Sequence, residues 1–321
     1  MTKWTTLGTL EAGPSVKSRT RSLAAAWPAQ APGVARPSFT EGQTDAPASQ
    51  RGFLKNVLMY QAERDYPDRF IGLAHVPALD PRESALELKR CAVELGFPGA
   101  VIASELQAQS LDWEGLRPFW KAAADLGLYV FIHPLPRVIS WGQMGADDLG
   151  RMLGWEFSLM VATVRLINSG LLDELTSLNI HISHFAGGIG RYLPRIRGLQ
   201  QREKSGTASI PRHNRRPLKP FDHYLYHRLF YDCAGWSGPD RAAERGAEWV
   251  RTGLAELPAA QVVFATDYPQ AVRDDDEVVA YVDAVRALGT AGRTALTGAN
   301  AGRLIPRLNE RLEARATSEA R

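Results

Sequence analysis

The chain has 321 residues, of which 45% are hydrophobic and 23% are charged, and this composition is that of an ordinary globular protein. Its formal net charge of +3 argues against a dedicated nucleic-acid-binding protein, and no apolar run approaches the roughly 18–20 residues that span a bilayer. We therefore expect a soluble cytoplasmic protein that binds neither nucleic acid nor membrane. Its two cysteines, Cys91 and Cys233, are expected to be buried free thiols.

The predicted elements follow an irregular or disordered arm, residues 1–52, which is rich in Ser, Thr, Ala, Pro, Gly and Arg and has no lasting apolar period. Apolar runs typical of buried strands occur at 70–76, 99–104, 129–134, 179–185, 229–234 and 262–268. Helical patterns lie between them, at 53–64, 80–95, 113–126, 155–175, 241–254 and 277–288, with a last helix beginning at 300–304. Residues 186–228 are basic and predict a long irregular connection, and residues 307–321 predict a charged tail.

Alternation of strand and helix, with nearly all-apolar strands, indicates a parallel sheet covered on both faces. No glycine-rich fingerprint follows a first strand, which disfavours a dinucleotide-binding fold. The pattern predicts an α/β fold of the (β/α)8 TIM-barrel type over residues 53–306. About six strands are recognisable, so the first one or two of the eight are missing or degenerate.

Three of the predicted strands end near a side chain that binds metals or moves protons. His133 closes the run before Pro134, His184 closes the run at 179–185, and Asp267 closes the run at 262–268. In a parallel barrel the carboxyl ends of the strands meet at one face, where active sites lie. The three residues therefore predict one shared site for a divalent cation or for proton transfer.

A series of motifs resembles the amidohydrolase-related family, which includes aminocarboxymuconate semialdehyde and hydroxybenzoate decarboxylases. The resemblance covers about residues 53–306. It rests on Asn56, Tyr66-Pro-Asp-Arg-Phe70, Phe131-Ile-His-Pro134, His184-Phe-Ala-Gly-Gly188, Thr266-Asp-Tyr-Pro269 and Asn300-Ala301.

The resemblance implies roles for four residues. His133 and Asp267 would bind a divalent metal, Zn²⁺ as the first choice and Mn²⁺ as the second. His184 would be the histidine that handles a proton beside the metal, and Asp267 is the other candidate for that step. Arg191 lies where the family often has an arginine after its Gly-Gly turn, and its guanidinium could hold a substrate carboxylate.

Two tryptophans are candidates for substrate contact from their positions. Trp141 and Trp236 lie in predicted loops that follow strands. An indole in such a place can stack on an aromatic substrate or can anchor the loop itself. Both readings stay open for each residue.

One family feature is absent from this sequence. Family members begin with a strand that carries His-x-His or Glu-x-His, whereas this chain has no histidine before His75 and no His-x-His. Three interpretations are open. The natural gene begins further upstream, the arm supplies other ligands such as Glu11, Glu41 or Asp45, or the protein has given up metal chemistry.

The preferred hypothesis is a metal-dependent decarboxylase of a small aromatic or unsaturated carboxylic acid. The first alternative is a metal-dependent hydrolase of a lactone, amide or similar C–O or C–N bond. The second is a catalytically silent homologue that binds a ligand or partner. Because a barrel without two strands has open edges, a homodimer is possible as well.

Overall fold

The structure is a computed structural model that describes residues 48–66, 70–106, 109–134, 144–145, 147–207, 217–236, 242–267, 275–296, 298–305 and 308. Its strands are β1 (Ala74–His75), β2 (Gly99–Ala103), β3 (Tyr129–His133), β4 (Asn179–Ile182), β5 (Leu229–Asp232) and β6 (Val262–Val263). The helices that precede β5 are α1 (Ala48–Asp65), α2 (Pro81–Glu94), α3 (Arg117–Asp125), α4 (Trp155–Asn168), α5 (Leu171–Glu174), α6 (Leu193–Lys204) and α7 (Phe221–His227). The helices that follow β5 are α8 (Ala242–Glu256), α9 (Asp275–Arg286), α10 (Thr290–Leu296) and α11 (Gly298–Leu304).

Within the described residues, the six strands form one sheet in the order β1-β2-β3-β4-β5-β6. Every neighbouring pair is parallel, so every strand ends at the same edge of the sheet. Sequential order with helical crossovers is the arrangement of a (β/α) barrel. The predicted fold class, with six recognisable strands, is confirmed.

The strands are shorter than the apolar runs that predicted them, most of all at the two edges of the described sheet. β1 and β6 have two residues each, because an edge strand has one neighbour to continue its ladder. The helix α1 begins at Ala48, earlier than the predicted start at Phe53. The boundaries proposed for the arm, the barrel domain and the tail stay predictions.

The prediction of an irregular connection over residues 186–228 is wrong for part of this segment. It contains a 3₁₀ turn at Ile189–Tyr192 and the helices α6 and α7. The helix α6 buries a single residue, Leu193. Its sequence therefore lacks the apolar stripe by which a helix is normally recognised. Pro194, in the first turn of α6, was the remaining local signal for a helix start.

The two faces of the sheet belong to two separate cores. On β3, the side chains of Val130 and Ile132 pack in the larger core with the surrounding helices, whereas Tyr129 and Phe131 pack in the smaller one. This division follows from the two-residue period of a strand. The smaller core is completed by residues from β6, α11 and their neighbours: Leu73, Val263, Ala301, Leu304, Ile305 and Leu308.

The helix α11 lies on the face of the sheet that carries the smaller core, which we call the inner face. Polar contacts as well as packing hold it there. Asn300 is buried, and its Nδ2 donates to the carbonyl oxygens of Ala259 and Val262 at 2.8 and 2.7 Å. Leu304 is fully buried, and burial of such a side chain contributes about 1.5–3 kcal/mol. The helix α11 therefore packs over the apolar strand residues of the smaller core.

The side chain of Asn56 completes the edge strand β1. Its Oδ1 accepts the His75 N–H at 2.7 Å, and its Nδ2 donates to the His75 carbonyl at 2.9 Å and to Glu87 at 2.6 Å. Asn56 thus satisfies the backbone groups that a neighbouring strand would pair. Burial, together with the positive charge of Lys55, lowers the pKa of His75 to about 4, so this imidazole is neutral at pH 7.

No helix in the parts of the chain described above has both the length and the apolar character needed to cross a membrane.

The state of the two cysteines gives a first prediction. Cys91 and Cys233 are free and fully buried, and burial is the main cause that raises the pKa of each thiol to about 12. At pH 8 such a thiol carries on the order of 10³ times less thiolate than a free cysteine. We expect an aromatic disulfide reagent to titrate both thiols rapidly in denaturant and neither in the native protein. Rapid reaction of either thiol before unfolding would contradict the burial described here.

Candidate metal centre

The three predicted side chains meet at the carboxyl edge of the sheet. His133 is the last residue of β3, His184 follows β4, and Asp267 follows β6. One ligand atom from each lies within 4.8 Å of the other two. His133 Nε2 lies 3.4 Å from Asp267 Oδ1. The parallel direction of the strands, which the sequence predicted, is what brings them together.

The imidazole of His133 is oriented by the backbone next to it. Its Nδ1 lies 2.7 Å from the carbonyl oxygen of Pro134, and a carbonyl can only accept a hydrogen bond. We therefore assign the proton to Nδ1, which leaves a lone pair on Nε2 directed towards Asp267. This is the tautomer that a metal-binding histidine needs.

His184 is held by a carboxylate from a helix. Its Nδ1 lies 2.8 Å from Glu156 Oε1, at the start of α4. Burial by itself would lower the pKa of His184, but the charge and hydrogen bond of Glu156, together with the charges of Asp232 and Asp267, outweigh burial and raise the pKa to about 9. Without a bound cation, the ring is therefore protonated at pH 7. Among the described residues, its buried Nε2 has no hydrogen-bond partner.

The backbone after His184 is a left-handed turn. Five consecutive residues, from His184 to Gly188, have φ between 50° and 73°. Three of them are not glycine, and each costs about 1–2 kcal/mol in this region. Strain of this kind persists where the surrounding contacts hold it, and it is concentrated at functional sites.

Gly187 permits close approach between this turn and α4. A Cβ atom there would lie 2.0 Å from the carbonyl oxygen of Glu156. The same residue, Glu156, binds the His184 ring through its side chain. The left-handed turn therefore keeps the imidazole of His184 beside its carboxylate partner.

Two further residues of this region, the buried Asp232 and the half-buried Glu156, were missed in the sequence. Asp232, at the end of β5, accepts the backbone N–H of His184 at 2.8 Å, and its other oxygen lies 3.0 Å from His181 Nε2. Burial alone would raise the pKa of Asp232, but His181 and His184 together lower it. The sequence did contain a signal for Asp232, since Leu229-Phe-Tyr-Asp232 is an apolar strand that ends in an acidic residue. Glu156 gave no comparable signal.

The donor set fits a divalent cation. Two imidazoles and one carboxylate are common ligands of catalytic zinc and related ions, and three protein ligands leave positions open for substrate. The buried, unpartnered Nε2 of His184 is the structural observation that favours this reading. The alternative ligands proposed in the arm, Glu11, Glu41 and Asp45, lie outside the described residues.

The other predicted site residues are placed differently. The Arg191 side chain is 72% exposed, and its Nε pairs with Glu256 at 3.1 Å rather than with the three-residue cluster. Trp236 is buried, with its ring 5.0 Å from that of Tyr281, a packing position that suits an anchored loop. Trp141 lies outside the described residues. The substrate contacts proposed for these three residues stay predictions.

Comparison with known proteins identifies relatives of this chain. A family model described as amidohydrolase matches residues 28–307. The chain is 31% identical over 141 residues to the 2-amino-3-carboxymuconate-6-semialdehyde decarboxylase of Dictyostelium discoideum, covering 42% of this chain and 38% of that protein. It is 29% identical over 216 residues to the γ-resorcylate decarboxylase of Rhodococcus jostii (strain RHA1), covering 63% of this chain and 61% of that protein. The chain thus spans less than two thirds of either relative.

A solved structure agrees with these matches. The 5-carboxyvanillate decarboxylase of Novosphingobium aromaticivorans, complexed with manganese and 4-hydroxy-3-methoxy-5-nitrobenzoic acid, superposes with a TM-score of 0.66 at 26% identity, covering 80% of this chain and 70% of that one. The family resemblance found in the sequence motifs is confirmed. A divalent metal is also supported, whereas the choice of zinc is not.

The left-handed turn gives a second prediction, with a matched pair of glycines. Gly187 and Gly188 have φ of 70° and 73°, but a Cβ on Gly188 would meet nothing within 4 Å. We expect Gly188→Ala to lower the free energy of unfolding by about 1–2 kcal/mol, from backbone strain. Gly187→Ala should cost about 1–3 kcal/mol more, because its methyl group displaces the Glu156 carbonyl. Denaturant titration measures both variants, and equal losses would contradict the close approach of the turn to α4.

Proposed function

Since the chain belongs to the amidohydrolase family, we propose that it is a metal-dependent decarboxylase of a small aromatic or unsaturated carboxylic acid. The observation that carries the proposal is the convergence of His133, His184 and Asp267 at the carboxyl edge of the sheet. The named activities of the relatives described above, which act on resorcylate, carboxyvanillate and carboxymuconate compounds, support this substrate class.

The proposed metal ligands are His133 and Asp267, with His184 close enough to join them. Zn²⁺ is the cation we propose, and Mn²⁺ is the alternative because a similar enzyme was solved with manganese. A divalent cation in this place supplies Lewis-acid chemistry, which polarises an oxygen of the substrate. Both ions accept imidazole and carboxylate ligands, so the donor set alone does not separate them.

The proposed reaction breaks the bond between the substrate carbon and its carboxylate. The electron pair stays on that carbon, carbon dioxide leaves, and a proton forms the new C–H bond. We assign the proton transfer to His184, because Glu156 holds its Nδ1 and leaves Nε2 facing the cluster. Asp267 is the other residue that we propose for this step. A small carboxylate is thus the proposed partner of the site, and a homodimer stays a prediction.

Hydrolysis of a lactone or amide would use the same residues, with a water molecule as the nucleophile and the alcohol or amine as the leaving group. It therefore stays the first alternative. The silent homologue stays the second, because the sequence has no His-x-His to add to the three residues that converge here. The next two experiments separate these possibilities.

Metal analysis tests the ligand assignment. We expect the purified protein, after loading with Zn²⁺ or Mn²⁺ and removal of excess, to retain about one equivalent per chain. His133→Ala and Asp267→Ala should each weaken retention by at least about 10–100-fold. His227→Ala, on the exposed end of α7, is the matched control and should retain the metal. Retention of no metal by the unaltered protein would favour the silent homologue.

A substrate panel tests the reaction. We expect the metal-loaded protein to release carbon dioxide from at least one hydroxybenzoate or unsaturated carboxylic acid, and chelation should abolish the release. The panel should include γ-resorcylate, 5-carboxyvanillate, lactones and simple amides. His184→Asn should lower kcat by about 10²–10⁴-fold, because it removes the group that moves the proton. Turnover of lactones or amides alone would sink the decarboxylase proposal in favour of hydrolysis.

A further inference from the structure

Asp232 is a fully buried carboxylate just behind the candidate metal centre. It is 1% exposed and lies at the last position of β5. One oxygen, Oδ1, accepts two backbone N–H groups, from His184 at 2.8 Å and from Ala234 at 3.0 Å. Burial of a charge is costly unless hydrogen bonds satisfy it. The Asp232 carboxylate therefore binds the backbone of two segments, the turn that follows β4 and the loop that follows β5.

The bond to His184 lies at the point where the chain becomes left-handed. His184 is the first residue of the left-handed turn, and its N–H donates to Asp232 just beyond the end of β4. A carboxylate acceptor makes a stronger bond than a neutral one, roughly twofold in energy. Asp232 thus supplies a strong contact at the first strained residue of the turn.

The second oxygen of Asp232 is oriented from the opposite side. His181 Nε2 lies 3.0 Å from Oδ2, and its ring stacks on Phe131 at 4.4 Å and on Tyr129 at 6.1 Å. These aromatic rings belong to the inner face of β3. His181 and its two aromatic neighbours thereby limit the positions that the Asp232 carboxylate can adopt.

The loop after Asp232 also contacts the His184 side chain. Gly235 has φ of 103°, and a Cβ there would lie 2.7 Å from His184 Cγ and 3.0 Å from Nδ1. The imidazole therefore lies directly against the backbone that follows β5. Asp232 fixes the start of this loop through the Ala234 N–H, so it acts on both the backbone and the ring of His184.

We propose that Asp232 is a positioning residue for His184: it holds the histidine backbone and the loop against which the imidazole packs, without touching the substrate. The proposal rests on the proposed function in assigning His184 a proton-transfer role. Its structural part, the dependence of His184 on Asp232, stands on the contacts alone.

The experiment compares Asp232→Ala and Asp232→Asn with a matched control, Tyr231→Phe. Tyr231 neighbours Asp232 on β5, is fully buried, and donates its hydroxyl to the Leu225 carbonyl at 2.6 Å. The control thus removes a buried hydrogen bond from the same strand without touching His184. Full-length protein labelled with ¹⁵N-histidine shows seven backbone amides at most, and the His184→Asn variant identifies the His184 signal.

We expect Asp232→Ala to speed hydrogen exchange of the His184 amide by about 10-fold or more, because its acceptor is lost. On the most active substrate of the panel, kcat should fall by about 10–100-fold while KM stays within roughly threefold. Asp232→Asn keeps a neutral acceptor and should lie between the unaltered protein and Asp232→Ala in both readouts. Tyr231→Phe should lower Tm by about 2–4 °C and leave kcat and the His184 amide unchanged.

Two results would overturn the proposal: a His184 amide in the Asp232 variants that behaves as in Tyr231→Phe, or kcat losses that follow Tm in all three variants. If Asp232→Ala does not fold, Asp232→Asn decides the question through the His184 amide shift and exchange rate. If the unaltered protein decarboxylates nothing, the proposed function fails. The exchange measurement still determines whether Asp232 positions His184.

Discussion

The common direction of the strands is the constraint on which this structure depends. Because all six described strands run parallel, their carboxyl ends meet at one edge, and residues far apart in the chain become neighbours there. His133, His184 and Asp267 follow three different strands. A single antiparallel strand would carry its terminal residue to the opposite edge. The convergence of these three side chains is thus a consequence of the sheet topology.

Strand periodicity gives the sheet two different faces. Alternate residues of β3 pack with the outer helices or with the inner core that α11 completes. His133 continues the inner series of Tyr129 and Phe131, so its imidazole points to the interior and the candidate site. The same inner face holds His181 and Asp232, which are buried as a pair. Packing and site geometry therefore come from the same alternation.

The region around His184 combines strain with dense contact. Its left-handed backbone is unfavourable by itself, yet Glu156, Asp232 and the close approach of Gly187 hold it from three sides. Such contacts allow the His184 side chain little movement, which suits the proton-transfer role that we propose for it. Arg191 contrasts with this arrangement. Its motif position predicted a contact with a substrate carboxylate, but its side chain is largely exposed and pairs with Glu256.

The sequence by itself determined the fold class, six strand positions and three residues of the site, because apolar runs, helical periods and strand-end residues are local signals. It also contained the signal for Asp232, which has the same strand-end pattern. Only the tertiary structure decided which side chains contact the residues of the site. His184 is 28 residues from Glu156 and 48 from Asp232, and no local pattern links residues at such separations. It is the register of the sheet and the packing of α4 against the left-handed turn that set these contacts.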